Sequence, residues 1–188
     1  KLRVGEAVLP DDQGTLHGVE LACPGVHQTE SGWHCEHGEL RVSGSPIGPQ
    51  SAIWQGSYSA GQGWRIDIRE LDLARGRATL SFHSAKGGWS GDLQVLRLQA
   101  RPLAKVLGTP ELPQDWAVKG LLSGTFRLSG DDGGLTRLSS DLVIDRLNYA
   151  SPDGRHAAED VVMRLDASAR RRGDNWNFDA DLRWPKGA

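Results

Sequence analysis

Two cysteines and three histidines fall within one short segment near the start of the chain: Cys23, His27, His34, Cys35 and His37. Cys23 ends one run of alternating apolar residues, and Cys35 lies in a second run that follows Trp33. The polar, Gly- and Pro-containing residues between the two runs predict a hairpin-like loop with a cysteine near the base of each strand. Cysteines in such positions can form a disulfide that stabilises the fold by about 3 kcal/mol and indicates an oxidising compartment.

Two other states of these cysteines stay open at this point. Zinc takes cysteine and histidine ligands, and all five side chains lie close together in the sequence. The spacings from Cys23 to His27 and from Cys35 to His37 are not the paired spacing of a zinc finger, so we predict a disulfide and no metal. Free, buried thiols are the third state.

No sequence motif of an enzyme is visible. The chain has no phosphate-binding loop, no GxSxG nucleophile elbow and no HExxH motif. Asp131 and Asp132 precede a glycine, but they lack the alternating ligands and distal glutamate of a calcium loop. Since no set of titratable residues converges, we predict that the protein is not an enzyme and has no cofactor.

The composition favours a β-rich protein. Of 188 residues, 24 are glycine and 7 are tryptophan, and the net charge is −2. Frequent glycine with periodic tryptophan and leucine is typical of short strands joined by tight turns. The near-neutral charge excludes the basic surface of a nucleic-acid-binding protein. The sequence contains no signal peptide and no apolar run approaching the ~20 residues of a membrane span, and we expect it to be part of a longer protein.

A repeat is the most informative feature of the chain. Four segments share a turn that ends in tryptophan and is followed by alternating residues: 31–42, 61–73, 86–100 and 173–184. Alternation predicts strands with one apolar and one polar face. In the first three segments the alternation slips, which a β-bulge corrects by inserting one residue. We predict bulges near Glu70 and near Val95.

Other segments are less uniform. The alternation before residue 61 leaves open whether Ile53 or Trp54 belongs to the apolar set. Residues 157–169 fit both a helix and a strand, and the flanking turns favour a strand. Residues 101–108 match helical spacing, and Gly108 can end that helix.

These patterns predict a mostly β fold: a curved antiparallel meander sheet of Trp-led hairpins, forming a groove or a partly closed roll, with one short helix. We expect a β-meander over 1–108 that includes the cysteine loop and the helix at 101–108. A connector at 109–117 and a continuation of the same sheet over 118–188 follow. The apolar residues of the strands would line the groove or form an ordinary core: Trp33, Trp64, Ile66, Ile68, Leu71, Leu73, Trp89, Leu93, Leu96, Leu98, Phe126, Leu128, Leu142, Ile144, Trp176 and Phe178.

The strand–turn–Trp–strand units resemble the periplasmic β-rich repeats of the AsmA-like superfamily, which includes the TamB and YdbH types. The similarity is clearest over 116–130, 138–167 and 173–184, in the register of glycine turns and strands. The cysteine- and histidine-rich loop at 23–37 has no counterpart in that pattern.

The resemblance implies a protein of the Gram-negative periplasm, anchored in the inner membrane by a segment outside this sequence. It implies a β-groove whose apolar inner face shields phospholipid acyl chains during transport to the outer membrane or in outer-membrane biogenesis. It also implies a possible partner protein in the outer membrane. It supplies no catalytic residue. The alternatives are a carbohydrate-binding or adhesive β-domain, in which tryptophans stack on sugars, and a structural spacer without a ligand.

Overall fold

The structure is a computed structural model, and it describes residues 2–8, 15–45, 49–99 and 117–186. Within these ranges the chain forms β-strands and no helix, so the predicted mostly β, curved antiparallel meander is confirmed. The predicted helix at 101–108 and the connector up to residue 116 lie outside the described residues. The strands are β1 (Leu2–Val8), β2 (Thr15–Ala22), β3 (Val26–Thr29), β4 (Gly32–Gly44), β5 (Gln50–Ser59), β6 (Gly63–Leu73), β7 (Gly76–Ala85), β8 (Gly88–Gln99), β9 (Ala117–Asp131), β10 (Gly134–Ala150), β11 (Ala157–Arg172) and β12 (Asn175–Lys186).

All the strands belong to one antiparallel sheet. Its order follows the chain from β1 to β12, except that β3 leaves this path and pairs with β4 alone. Because neighbouring strands are consecutive in sequence, tight turns such as those at 60–62, 86–87 and 173–174 can join them. The sheet is curved and does not close into a barrel.

The slips in alternation that the sequence shows are bulges in the structure. The register shifts beside Glu70 in β6 and after Val95 in β8, as predicted. Glu70 has a φ of 54° and Arg97 a φ of 58°, in the left-handed region that few non-glycine residues occupy. Further shifts follow Cys35 in β4 and Ile144 in β10, and one lies beside Asp160 in β11, whose φ is 53°. Others lie between Leu135 and Arg137 in β10 and between Arg183 and Lys186 in β12.

Four of the bulges are arranged in order across the sheet. From β4 to β6 to β8 to β10, each bulge lies two cross-strand residue pairs further from the tryptophan turns than the one before. A bulge bends its strand and increases the local twist. The four bulges therefore form a diagonal line of bending across the sheet.

The main core cluster lies beside the bulges of β6 and β8. Leu98 is 1% exposed, and Ala74, Ala78, Val95 and Leu122 are also buried. Other side chains from β6 to β10 are half-buried against this cluster: Leu71, Leu73, Leu93, Phe126, Leu142 and Ile144. The core therefore sits in the middle of the sheet, where the strands bend.

Two alternatives left open by the sequence are decided by the pairing. Residues 157–169 form part of strand β11, in which Met163 faces Ile144 and Leu165 faces Leu142. In β5, Trp54 faces Ile68, so Trp54 belongs to the apolar set and Ile53 to the opposite face.

Cys23 and Cys35 form the predicted disulfide, with 6.2 Å between their Cα atoms. Cys35 is fully buried. The bond lies where β4 changes partners, because β4 pairs with β3 up to Cys35 and with β2 from Glu39 onward. Since the two sulfurs are joined, neither is a thiolate ligand for zinc. Among the described residues, no three His, Cys, Asp or Glu side chains come together as a metal site.

Replacing both cysteines with alanine should lower the free energy of unfolding by about 3 kcal/mol, because the unfolded chain loses a closed loop. Urea denaturation of the Cys23→Ala/Cys35→Ala variant and the wild type, followed by circular dichroism, measures the difference. A reducing agent should shift the midpoint of the wild type and leave that of the variant unchanged. Free thiols in denatured, unreduced wild type would contradict the assignment.

Candidate functional site: the apolar face

One face of the sheet carries apolar side chains in rows that cross many strands. Residues paired across an antiparallel ladder share a face, so each row is read directly from the register. One row runs from β4 to β9 through Gly38, Trp54, Ile68, Leu80, Leu93 and Phe126. The next runs from β7 to β12 through Ala78, Val95, Gly124, Leu142, Leu165 and Leu182. We call the face that contains these rows the apolar face.

The register brings nearly all of the predicted lining residues to the apolar face: Trp33, Trp64, Ile66, Ile68, Leu71, Leu73, Trp89, Leu93, Leu98, Phe126, Leu128, Leu142, Ile144, Trp176 and Phe178. Leu96 is the exception: it pairs with Arg77 on the opposite face and is 58% exposed. The prediction that Leu96 lines the groove or core is wrong. The β8 bulge sets both Leu96 and Arg97 opposite Ser123, so the apolar alternation resumes only at Leu98.

The tryptophans that follow the turns form aromatic contacts at the turn end of the apolar face. Trp33 packs edge-to-face against Trp54 and Trp64, with ring centroids 6.5 and 5.6 Å apart. Tyr58 lies 5.0 Å from Trp64, and other pairs link Phe82 with Trp89 and Trp176 with Phe178. Such pairs contribute about 0.5–1.5 kcal/mol each beyond the area that they bury. The repeated tryptophan therefore helps to fix the strand register beside each turn.

Two tryptophans lie against glycines of a neighbouring strand. A Cβ added to Gly38 would collide with Nε1 of Trp54, and one added to Gly130 would lie 2.6 Å from ring atoms of Trp89. Trp54 is buried, and its Nε1 has no hydrogen-bond partner. From the sequence, Trp54 is one of two alternatives with Ile53, and Gly38 has no predicted role. A glycine facing a tryptophan is the signal, but it is visible only once the register is known.

The opposite, polar face is held together around Asp67. The Asp67 carboxylate accepts hydrogen bonds from Ser81 Oγ at 2.7 Å and from Gln55 Nε2 at 3.3 Å, and Arg65 Nε lies 3.6 Å away. Burial alone raises the pKa of Asp67. The two hydrogen bonds and the charges of Arg65 and Arg69 outweigh burial, so the pKa is lowered below its ordinary value.

A depression of about 410 Å³ lies beside Asp67 on the polar face. The described residues that line it include His34 but no tryptophan, tyrosine or phenylalanine: His34, Gln55, Gly56, Ser57, Arg65, Asp67 and Arg69. It is therefore an open polar surface without a large aromatic platform.

Comparison with known proteins gives no relative from which to transfer a function. No family model, no curated protein and no solved structure matches the chain. The AsmA-like resemblance therefore stays a prediction from the sequence. Within the described ranges, no helix has the length and apolar content needed to cross a membrane.

The Gly38→Ala substitution should destabilise the protein by about 1–3 kcal/mol, because the added methyl group displaces the buried Trp54 indole. Gly61→Ala is the matched control, since a Cβ at Gly61 meets nothing within 4 Å. The control should change the free energy of unfolding by less than about 0.5 kcal/mol. Urea denaturation measures both, and equal effects would contradict the Trp54–Gly38 contact.

Asp67 should make stability fall in acid. Because the pKa of Asp67 is lower in the folded state, its stabilising contribution is present above the unfolded value of about 3.9 and is lost as the pH falls through the folded value. Asp67→Asn removes this dependence, so the stability difference between wild type and variant should shrink between pH 7 and pH 3. Asp92 lies in the same cross-strand row, and its carboxylate is 3.5 Å from Nε of Arg127 at the surface. Asp92→Asn should therefore lower the free energy of unfolding at pH 7 by less than Asp67→Asn does. A difference that does not change with pH would refute the role of Asp67.

Proposed function

We propose that the apolar face binds lipid acyl chains and shields them from water. In this proposal the chain is a non-enzymatic segment of a Gram-negative envelope protein in phospholipid transport between the two membranes or in outer-membrane biogenesis. The extent of the face is the observation that supports it. No charged side chain interrupts the apolar rows between Cys35 of β4 and Ala169 of β11.

The energetics of such a face suit an acyl chain. Taking one CH₂ group out of water is worth roughly 0.8 kcal/mol, so a chain of a dozen CH₂ groups gains on the order of 10 kcal/mol when fully covered. Burial of apolar surface alone provides this binding free energy, so no hydrogen bond to the ligand is required. The described strands belong to a single sheet, and the core cluster at its middle is already buried, so an acyl chain would contact the half-buried and exposed side chains of the apolar face.

The remaining parts of the proposal follow from the disulfide and the resemblance. The Cys23–Cys35 disulfide suits an oxidising compartment such as the periplasm. Attachment to the inner membrane by a segment outside this sequence, and a partner protein in the outer membrane, rest on the AsmA-like resemblance alone.

Sugar binding is supported less well. A sugar site needs tryptophan faces on a polar, concave surface. The tryptophans whose side chains are described belong to the apolar face, and the described lining of the polar depression near Asp67 has no tryptophan, tyrosine or phenylalanine. A structural spacer without a ligand is the other outcome that an experiment must separate from lipid binding.

Two neighbouring residues of β10 test the proposal. Leu138 faces Leu128 and Ala169 on the apolar face, and Ser139 faces Arg127 and Ser168 on the polar face. Leu138→Glu places a carboxylate in the path of an acyl chain, where desolvation makes binding unfavourable. We expect it to weaken binding of a fluorescently labelled phosphatidylethanolamine at least tenfold, whereas Ser139→Glu should bind as the wild type does.

Circular dichroism and thermal melting must first show that both variants are folded. Mass spectrometry of organic extracts of the purified wild type should also find lipid. A wild type that neither binds the probe nor carries lipid, or two folded variants that bind equally, would overturn the proposal.

A further inference from the structure

Two arginines on the polar face stand directly opposite each other without a partner of opposite charge. Arg137 of β10 faces Arg170 of β11, and both side chains are exposed. Like charges in directly opposite positions destabilise an antiparallel pair, because their Cβ atoms are only about 4.5–5.5 Å apart. Neither guanidinium takes part in a hydrogen bond or an ion pair with the described residues. The N–H donors of both side chains are therefore available to a ligand.

A second pair of facing arginines on the same face is compensated. Arg164 of β11 faces Arg183 of β12, and Nε of Arg183 donates a hydrogen bond to the Asp181 carboxylate at 2.9 Å. An anion from solution can take the corresponding place beside Arg137 and Arg170.

Neutral hydrogen-bonding groups surround the uncompensated pair. In the same cross-strand row, Ser129 and Asn177 flank the two arginines. In the next row Ser139 faces Ser168, and in the part of the chain that the structure describes neither hydroxyl has a hydrogen-bond partner. A tetrahedral oxyanion has several acceptor oxygens, so it can accept hydrogen bonds from guanidiniums and hydroxyls at the same time.

The carboxylates nearest to the pair do not neutralise it. Asp179 of β12 faces Ser168, and Asp131 lies toward the turn, where its Oδ1 accepts a hydrogen bond from the N–H of Gly133 at 2.8 Å. Neither carboxylate forms an ion pair with the two arginines. An anion that accepts hydrogen bonds from both guanidiniums is therefore closer to the two positive charges than any described carboxylate.

We infer that Arg137 and Arg170, together with the hydroxyls of Ser139 and Ser168, bind the phosphate group of a phosphate or phosphate ester. The planar guanidinium matches the geometry of a phosphate and can donate two parallel hydrogen bonds to it. The site lies on the polar face, so it does not depend on the proposed binding of acyl chains to the apolar face. A soluble phosphate and the headgroup of a phospholipid offer the same chemistry, and the experiment separates these two sources.

Thermal unfolding in inorganic phosphate, compared with sodium chloride at equal ionic strength, tests the site. At saturating phosphate the unfolding midpoint of the wild type should rise by roughly 3 °C more than in chloride. Arg137→Gln and Arg170→Gln should each weaken phosphate binding about tenfold, because each removes charge-assisted hydrogen bonds. Arg164→Gln is the matched control on the same face of β11 and should respond to phosphate as the wild type does.

A reversal of charge tests the repulsion itself. Arg137→Glu sets a carboxylate opposite Arg170, so in phosphate-free buffer this variant should unfold at a higher temperature than the wild type. It should also lose the response to phosphate, because its own carboxylate takes the place of the anion.

Two further probes identify the source of the phosphate group. Co-sedimentation with phosphatidylglycerol vesicles that Arg137→Gln weakens would support the site with a lipid headgroup as its ligand. Stabilisation by glycerol 3-phosphate without binding to vesicles would support it with a soluble phosphate ester. Leu138→Glu, which is designed to block the apolar face, should keep the response to inorganic phosphate, so failure of this site is distinguishable from failure of lipid binding. Equal responses of the wild type to phosphate and chloride, or glutamine variants that bind phosphate as the wild type does, would overturn the inference.

Discussion

Successive side chains of a β-strand point to opposite faces, so one extra residue reverses every side chain beyond it unless a bulge absorbs that residue. The apolar face depends on this constraint. The shift beside Glu70 returns Leu71 to the apolar face opposite Ala78, and the shift after Val95 returns Leu98 opposite Leu122. A β6 strand without its bulge would turn Leu71 and Leu73 toward the polar face and break the core cluster.

The bulges also give the sheet its curvature, and the structure satisfies the backbone groups that they displace. The N–H of Arg97 donates to Ser123 Oγ at 3.0 Å, and the N–H of Asp160 donates to Asn148 Oδ1 at 3.1 Å. Side-chain oxygens thus replace the ladder partners of these two backbone donors. Continuity of the apolar face and bending of the sheet therefore have one cause.

Much of this arrangement could be predicted from the sequence because alternation is a local signal. It gave the bulges near Glu70 and Val95 and the face of nearly every lining residue, whereas the flanking turns favoured the strand at 157–169. It could not assign Leu96, because alternation alone does not say which residue of a bulge is the extra one. It could not choose between Ile53 and Trp54, nor find the contact of Trp54 with Gly38, because both depend on the pairing with β4 and β6.

The two faces of the sheet have different physical roles. On the polar face, individual groups matter. The ionised carboxylate of Asp67 is stabilised by hydrogen bonds from Ser81 and Gln55 and by the charges of two arginines, so removing one partner removes part of that stabilisation. On the apolar face, area matters, and no side chain holds a position that chemistry requires. A binding site that consists of apolar surface leaves no motif of reactive residues in the sequence. The cysteine and histidine segment has the residue types of a reactive or metal site, but it contributes a structural disulfide. The proposed binding site consists instead of apolar residues, which a search for catalytic groups does not detect.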